Sequence, residues 1–211
     1  MTMRSLKLSS VITAVVLSFL AGTTTFAASP FKKVSGGLVH VASGVIFPAR
    51  VGTFRFETTK VFGSTGRDVA AEYDVASLIR GDVYVYPLGT YARDFDGEAR
   101  VQQNAIKQTY KGVKLVAQSR PRLTQSGRSI TGFLAQYELT RVLGGNKARR
   151  CGSQFYLFRD GPWLVAYRFS YPIEQSAIAS KQIADFMRLW QWRTRGKVTV
   201  VKPTSAYAGR G

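Results

Sequence analysis

From residue 54 onward, apolar and polar positions alternate in short segments split by turn residues, the pattern of strands buried on one side. In FRFETTKVF (54–62), Phe54, Phe56 and Phe62 share one parity, with Thr58 and Lys60 between them. Glycines and small polar residues at 63–66 make a turn. Val69, Ala71, Tyr73 and Val75 then alternate with Asp68, Glu72 and Asp74, which predicts a hairpin with the preceding strand. Residues 82–86 (DVYVY) form a third strand, stopped by Pro87.

The period then changes. Asp94, Asp96 and Glu98 place negative charge where a helix begins, and Phe95, Ala99, Val101, Ala105, Ile106 and Tyr110 supply an apolar face. Gly112 ends the helix. Alternation returns in Val113, Leu115 and Ala117, and in Phe133, Ala135, Tyr137 and Leu139 beyond a Pro/Gly-containing loop. It continues in 155–158 and in Trp163, Val165, Tyr167, Phe169 and Tyr171. Pro172 opens a last helix, with Ala179, Ile183, Phe186, Met187 and Trp190 on its buried side. Two helices so far apart do not build repeated strand–helix–strand units. The predicted class is α+β: one antiparallel sheet of about seven strands with two main helices packed on it.

The ends read differently. Arg4 and Lys7 precede about eleven apolar or small residues, 11–21, too short to span a bilayer and suited to a signal peptide. Thr25 and Ala27 place small residues at the two positions that specify cleavage, after Ala27. The expected organisation is a signal peptide at 1–27, one domain at 28–195 and a basic tail at 196–211. The expected location is the periplasm or the exterior.

Charge changes the picture most. The chain carries 30 Lys and Arg against 12 Asp and Glu, a net +18. Without Arg4 and Lys7 it is still +16. Such a field draws a protein to anionic surfaces. Outside the inner membrane those are lipid headgroups, envelope polymers or acidic proteins, and nucleic acid becomes a partner only after secretion. Cys151 is the single cysteine, so an internal disulfide is excluded, and a buried, inert thiol is expected.

The run Phe47-Pro48-Ala49-Arg50-Val51-Gly52-Thr53-Phe54, with Val83-Tyr84-Val85-Tyr86-Pro87 beyond it, resembles a family of uncharacterised exported proteobacterial proteins. The order and size of the elements resemble the PsbP-like fold of photosystem extrinsic subunits. That resemblance implies a small accessory protein docked on a membrane-bound assembly. It assigns no functional residue.

Candidate chemistry is sparse. His40, the only histidine, sits among alternating apolar residues, as a strand histidine with a local hydrogen bond would. Ser29 and Lys32 match S-x-x-K by letter without its companion motifs. Asp94, Asp96 and Glu98 lack the remaining ligands of a calcium loop and read as a helix start. No G-x-S-x-G and no phosphate-cradling glycine loop is present, so no catalytic residue, metal or cofactor is assigned. Glu72 and Asp74 share a strand face at about 6.5–7 Å between Cα atoms, a spacing open to a hydrolytic carboxylate pair as well as to a solvated face. Tyr84, Tyr86, Tyr156 and Phe158 either line a ligand surface or pack under a helix. The denser signal is basic: Lys147, Arg149 and Arg150 crowd one hairpin tip beside Arg141. Arginines on a loop suit bidentate contact with phosphate or carboxylate. The leading expectation is an exported, non-catalytic envelope protein that binds an anionic partner or serves as an accessory subunit. The alternative is a hydrolase of an envelope polymer.

Overall fold

The computed structural model describes residues 29–76 and 78–193. The expected signal peptide, its cleavage point and the expected basic tail lie outside the described residues.

Three short strands come first, β1 (Phe31–Val34), β2 (Gly37–His40) and β3 (Ile46–Pro48), paired antiparallel as a small sheet of their own. Then follow β4 (Arg50–Val51), β5 (Phe54–Phe62), β6 (Asp68–Val75), β7 (Ile79–Pro87), α1 (Phe95–Thr109) and β8 (Lys111–Ser119). A second hairpin, β9 (Arg122–Gln125) with β10 (Arg128–Thr131), precedes β11 (Phe133–Val142), β12 (Ala148–Asp160) and β13 (Trp163–Pro172). A single 3-10 turn at Ile173–Gln175 leads into α2 (Ser176–Leu189).

The main sheet is antiparallel throughout, in the order β4-β5-β6-β7-β13-β12-β11-β8. The chain is therefore α+β as expected, with two α-helices among the described residues. Those residues form eight strands in the main sheet and two smaller sheets beside it, where one sheet of about seven was expected. The extra edge strand, β4, is two residues long, and β1 to β3 are three or four residues each. Segments so short show little period, and among them only β2 is signalled, by the alternation around His40. β9 and β10 fall within the stretch read as a Pro/Gly loop.

Alternation sorts the side chains onto two faces. The first face carries Val69, Tyr73, Val83, Val165, Tyr167 and Phe169, covered by Ile183, Phe186 and Trp190 of the α2 region and by Phe47. Every α2 residue expected to be buried is buried. The second face carries Phe133, Ala135, Tyr137, Leu139, Phe155 and Leu157 under α1.

Two expectations are corrected. A register shift between Phe56 and Thr58 breaks the parity of β5, as a bulge does. Phe56 packs on Tyr73 of the first face, while Phe62 turns to Tyr84 on the second. On α1, Val101 and Ala105 are exposed, and the inward face uses Glu98, Ala99, Gln102 and Ile106. Asp94 caps the helix, its side chain accepting from the Gly97 N–H at 2.7 Å. Glu98 turns inward because its Oε1 accepts the backbone N–H groups of Tyr91 and Ala92, at 3.0 and 2.9 Å.

His40 is buried at the end of β2. Its Nε2 donates to the Gly66 carbonyl at 2.8 Å, and Nδ1 faces the Ser43 hydroxyl at 2.8 Å. Burial holds its pKa below the ordinary histidine value. Both ring nitrogens are occupied, which fits the structural role expected of it.

Candidate anion-binding site

The second face has a polar end that α1 does not cover. Cross-strand partners share a face, so the ladder places Glu72 of β6, Asp82 of β7, Arg168 of β13 and Phe155 of β12 in one row. The next row holds Asp74, Arg80, Ser170, Ser153 and Tyr137. Three strand segments that read as ordinary alternation, in β6, β7 and β13, thus assemble three carboxylates and two guanidiniums side by side.

Arg80 organises the acidic part. Its guanidinium lies 2.8 Å from Glu72 and 3.4 Å from Asp82, and Lys60 also pairs with Glu72. Glu72 and Asp82 stand directly opposite each other, an arrangement that repels unless a cation bridges it. Asp82 is the more buried of the two. Burial pushes its pKa above the usual carboxylate range; Arg80 opposes that shift and Glu72 adds to it.

Arg141 and Arg168 organise the basic part. The Arg141 Nη1 reaches across β12 to donate to the Ser170 hydroxyl at 2.8 Å. Tyr110, the residue that closes α1, lays its ring against both guanidiniums, at 4.4 Å from Arg168 and 5.4 Å from Arg141. Arg141 also borders a groove of about 320 Å³, lined by Glu57, Asp74, Arg80, Val142, Leu143 and Gly144 among others.

The residues singled out from the sequence are placed as follows. Arg141 and Arg149 are direct partners across the β11–β12 ladder and share the second face. Arg149 is 4.0 Å from Glu174. Arg150 belongs to the opposite parity and pairs with Glu138, which holds that carboxyl below its ordinary value. Lys147 lies in the turn between them, exposed. Cys151 follows on β12, buried, its thiol pushed up by desolvation despite Arg141 and Arg149.

Glu72 and Asp74 do share a face, but Glu72 is held by Lys60 and Arg80, and its nearest cross-strand carboxylate is Asp82. Tyr84 and Tyr86 lie on the second face, Tyr86 packed with Tyr91. Tyr156 and Phe158 lie on the first, lining a separate groove of about 540 Å³ between β9 and α2 with Leu123 and Met187. The four rings do not form one surface. Asp94, Asp96 and Glu98 serve as helix cap, partner of Arg120 and acceptor of backbone N–H groups. Ser29 accepts from the Phe31 N–H, and Lys32 is exposed on β1. Arg80, Asp82 and Arg168 were missed by the sequence reading. Polar letters at inward-parity positions of otherwise apolar strands are the signal that marks them.

No family model matches the chain, and no curated protein matches it. Solved structures similar to it include a Pseudomonas aeruginosa protein of unknown function, at 10% identity and TM-score 0.40. That likeness covers 74% of this chain and 92% of the other. A cyanobacterial PsbP protein, CyanoP from Synechocystis, is similar at 12% identity and TM-score 0.39 over 67% of this chain and 81% of its own. Likenesses of this extent carry no residue and no activity across. Among the described residues, no helix is long and apolar enough to cross a membrane.

The raised pKa of Asp82 generates a prediction. The folded state holds this proton more tightly than the unfolded chain does. The group's contribution is therefore fully present below its ordinary value of 3.8 and is lost as pH rises through the folded-state value. Asp82→Asn, which cannot ionise, is expected to melt higher than the wild type at neutral pH. Melting curves across acidic pH should show that gap closing as the wild-type carboxyl takes up its proton.

Proposed function

We propose that this chain is an exported, non-catalytic envelope protein that binds an anionic partner, acting as an accessory subunit. The observation that carries the reading is the arginine pair at the β11–β12 tip. Arg141 and Arg149 stand side by side across the ladder, with the exposed Lys147 in the turn beyond them. Like charges directly opposite each other are unfavourable unless an anion lies over them. Glu174 meets Arg149 only at 4.0 Å, with more than half of its own side chain exposed. Arg150 adds to the field of the tip from the other face. The sequence-wide charge brings an anionic surface close, within a Debye length of about 8–10 Å, and the tip supplies directional contacts there. Export rests on the expected signal peptide.

A second reading, hydrolysis of an envelope polymer, has one observation in its favour. Asp82 is buried with a raised pKa and faces Glu72 across the ladder, as an acid with a neighbouring carboxylate would. Hydrolysis of cell-wall material by the wild type, absent in Asp82→Asn and Glu72→Gln, would favour it over binding.

The binding reading is tested by replacing Lys147, Arg149 and Arg150 together with Gln. Exposed surface residues change stability by about 0.5 kcal/mol or less and exposed ion pairs by about 0–1 kcal/mol, whereas a hydrogen bond to a charged partner contributes about 1.5–3 kcal/mol. The Arg150–Glu138 pair is of the exposed kind. The melting temperature should hold while affinity for anionic lipid vesicles or envelope fractions falls. An equal-charge control changes Lys32, Lys33 and Arg122 to Gln. Equal losses in the two triples would leave only diffuse attraction and remove the tip's special role.

A further inference from the structure

Beside the tip, but on the floor of the second face, four polar atoms are buried without a hydrogen bond among the described residues. They are Nε and Nη2 of Arg168, Nε of Arg141 and the hydroxyl of Tyr137. Each buried donor left unpaired opposes folding, so native proteins hold few of them and rarely together. Here they gather in one place. Both guanidiniums lie against the Tyr110 ring, and the charge of Arg168 acts on the Tyr137 phenol.

The nearby carboxylates do not meet this demand. Asp82 stands opposite Arg168 in the ladder, yet no ion pair joins them among the described residues. Asp82 and Glu72 are both turned to Arg80. Arg168 therefore keeps its charge unneutralised under an aromatic cover.

The identity of the free atoms specifies the ligand. Nε and Nη2 form the side-on edge of a guanidinium, two parallel N–H groups spaced like the two oxygens of a carboxylate. An ionised carboxylate has about four acceptor sites. Two face the Arg168 edge, one the Arg141 Nε–H and one the Tyr137 hydroxyl. We propose that these free atoms, which the Tyr110 ring covers, bind a small carboxylate, gripped side-on by Arg168 and completed by Arg141 and Tyr137. Burial pushes the Tyr137 phenol up to about 12, so it keeps its proton and donates. The adjoining groove of about 320 Å³, which Arg141 borders, gives the body of the ligand room beside Val142 and Leu143, with Glu57, Glu72, Asp74 and Arg80 on its other walls. The site goes beyond envelope attachment: Lys147, Arg149 and Arg150 take no part, and only Arg141 is common to both.

Benzoate is the probe, with benzamide as its neutral counterpart and inorganic phosphate as the competing anion. Calorimetry on the wild type should show saturable binding of one benzoate and none of benzamide or phosphate. Arg168→Lys keeps the charge and the stem but loses the fork, and benzoate affinity should fall about tenfold or more. The triple Gln variant of the tip should bind benzoate as the wild type does, which separates this pocket from the vesicle-binding role. Should Arg168→Lys fail to fold, the wild-type nitrogen resonances decide: the Arg168 Nε–H signal should move on benzoate addition. Failure of benzoate to bind, equal binding of benzamide, binding of phosphate in its place, undiminished affinity in a folded Arg168→Lys or an unmoved Nε–H signal would each overturn the proposal.

Discussion

Two tryptophans beyond α2 decide which side of the sheet is closed. The Trp190 indole N–H donates to the Ile46 carbonyl at 2.7 Å, and the Ile46 N–H donates to the Trp192 carbonyl at 2.8 Å. Between them, the Gln125 amide donates to the Trp190 carbonyl and accepts the Trp192 N–H, each at 2.9 Å. The N-terminal sheet, the β9–β10 hairpin and the end of α2 are thereby joined at one point. The rings pack onto Phe47, Tyr73, Phe158 and Phe186. Burying an aromatic ring of about 150–250 Å², at about 25 cal/mol per Å², contributes about 4–6 kcal/mol before ordering costs. Each small element with too little apolar surface to stand alone is held there.

The consequence falls on the other side. With those elements committed to the first face, α1 is the helix that remains for the second. Eight strands at about 4.8 Å spacing span about 34 Å, whereas a helix with its side chains is about 10–12 Å across. Part of the second face must therefore meet water or a partner, and the charged residues sit in that part. Arg80 and Lys60 pair with Glu72 and Asp82, which leaves Arg141 and Arg168 under Tyr110 as the unsatisfied basic half.

The sequence made the long elements legible. The strict alternation of 163–171 and the 3.6-residue spacing of Ala179, Ile183, Phe186 and Met187 locate β13 and α2 because each buries a continuous stripe. Strands of two to four residues have little period to read, so β1, β3, β4 and the β9–β10 hairpin escaped, and β2 showed only in the alternation around His40. The α1 stripe was misjudged at Val101 and Ala105 because Glu98, held by the loop N–H groups of Tyr91 and Ala92, takes an inward position that hydrophobicity alone would not give it. The site was half legible. Arg141 and Arg149 stand close in sequence, at the two sides of one tip. Asp82 and Arg168 are ladder partners 86 residues apart, and nothing in local pattern brings them together.

Whether the second face is built for binding or for stability turns on Arg168. Its stacking on Tyr110 stabilises the fold by about 0.5–2 kcal/mol. Two buried, unpaired donors oppose it by about 1–3 kcal/mol each. If the guanidinium is kept for a ligand, Arg168→Met should raise the melting temperature of the ligand-free protein. A clear fall would contradict the account, because it would make Arg168 part of what holds the sheet together.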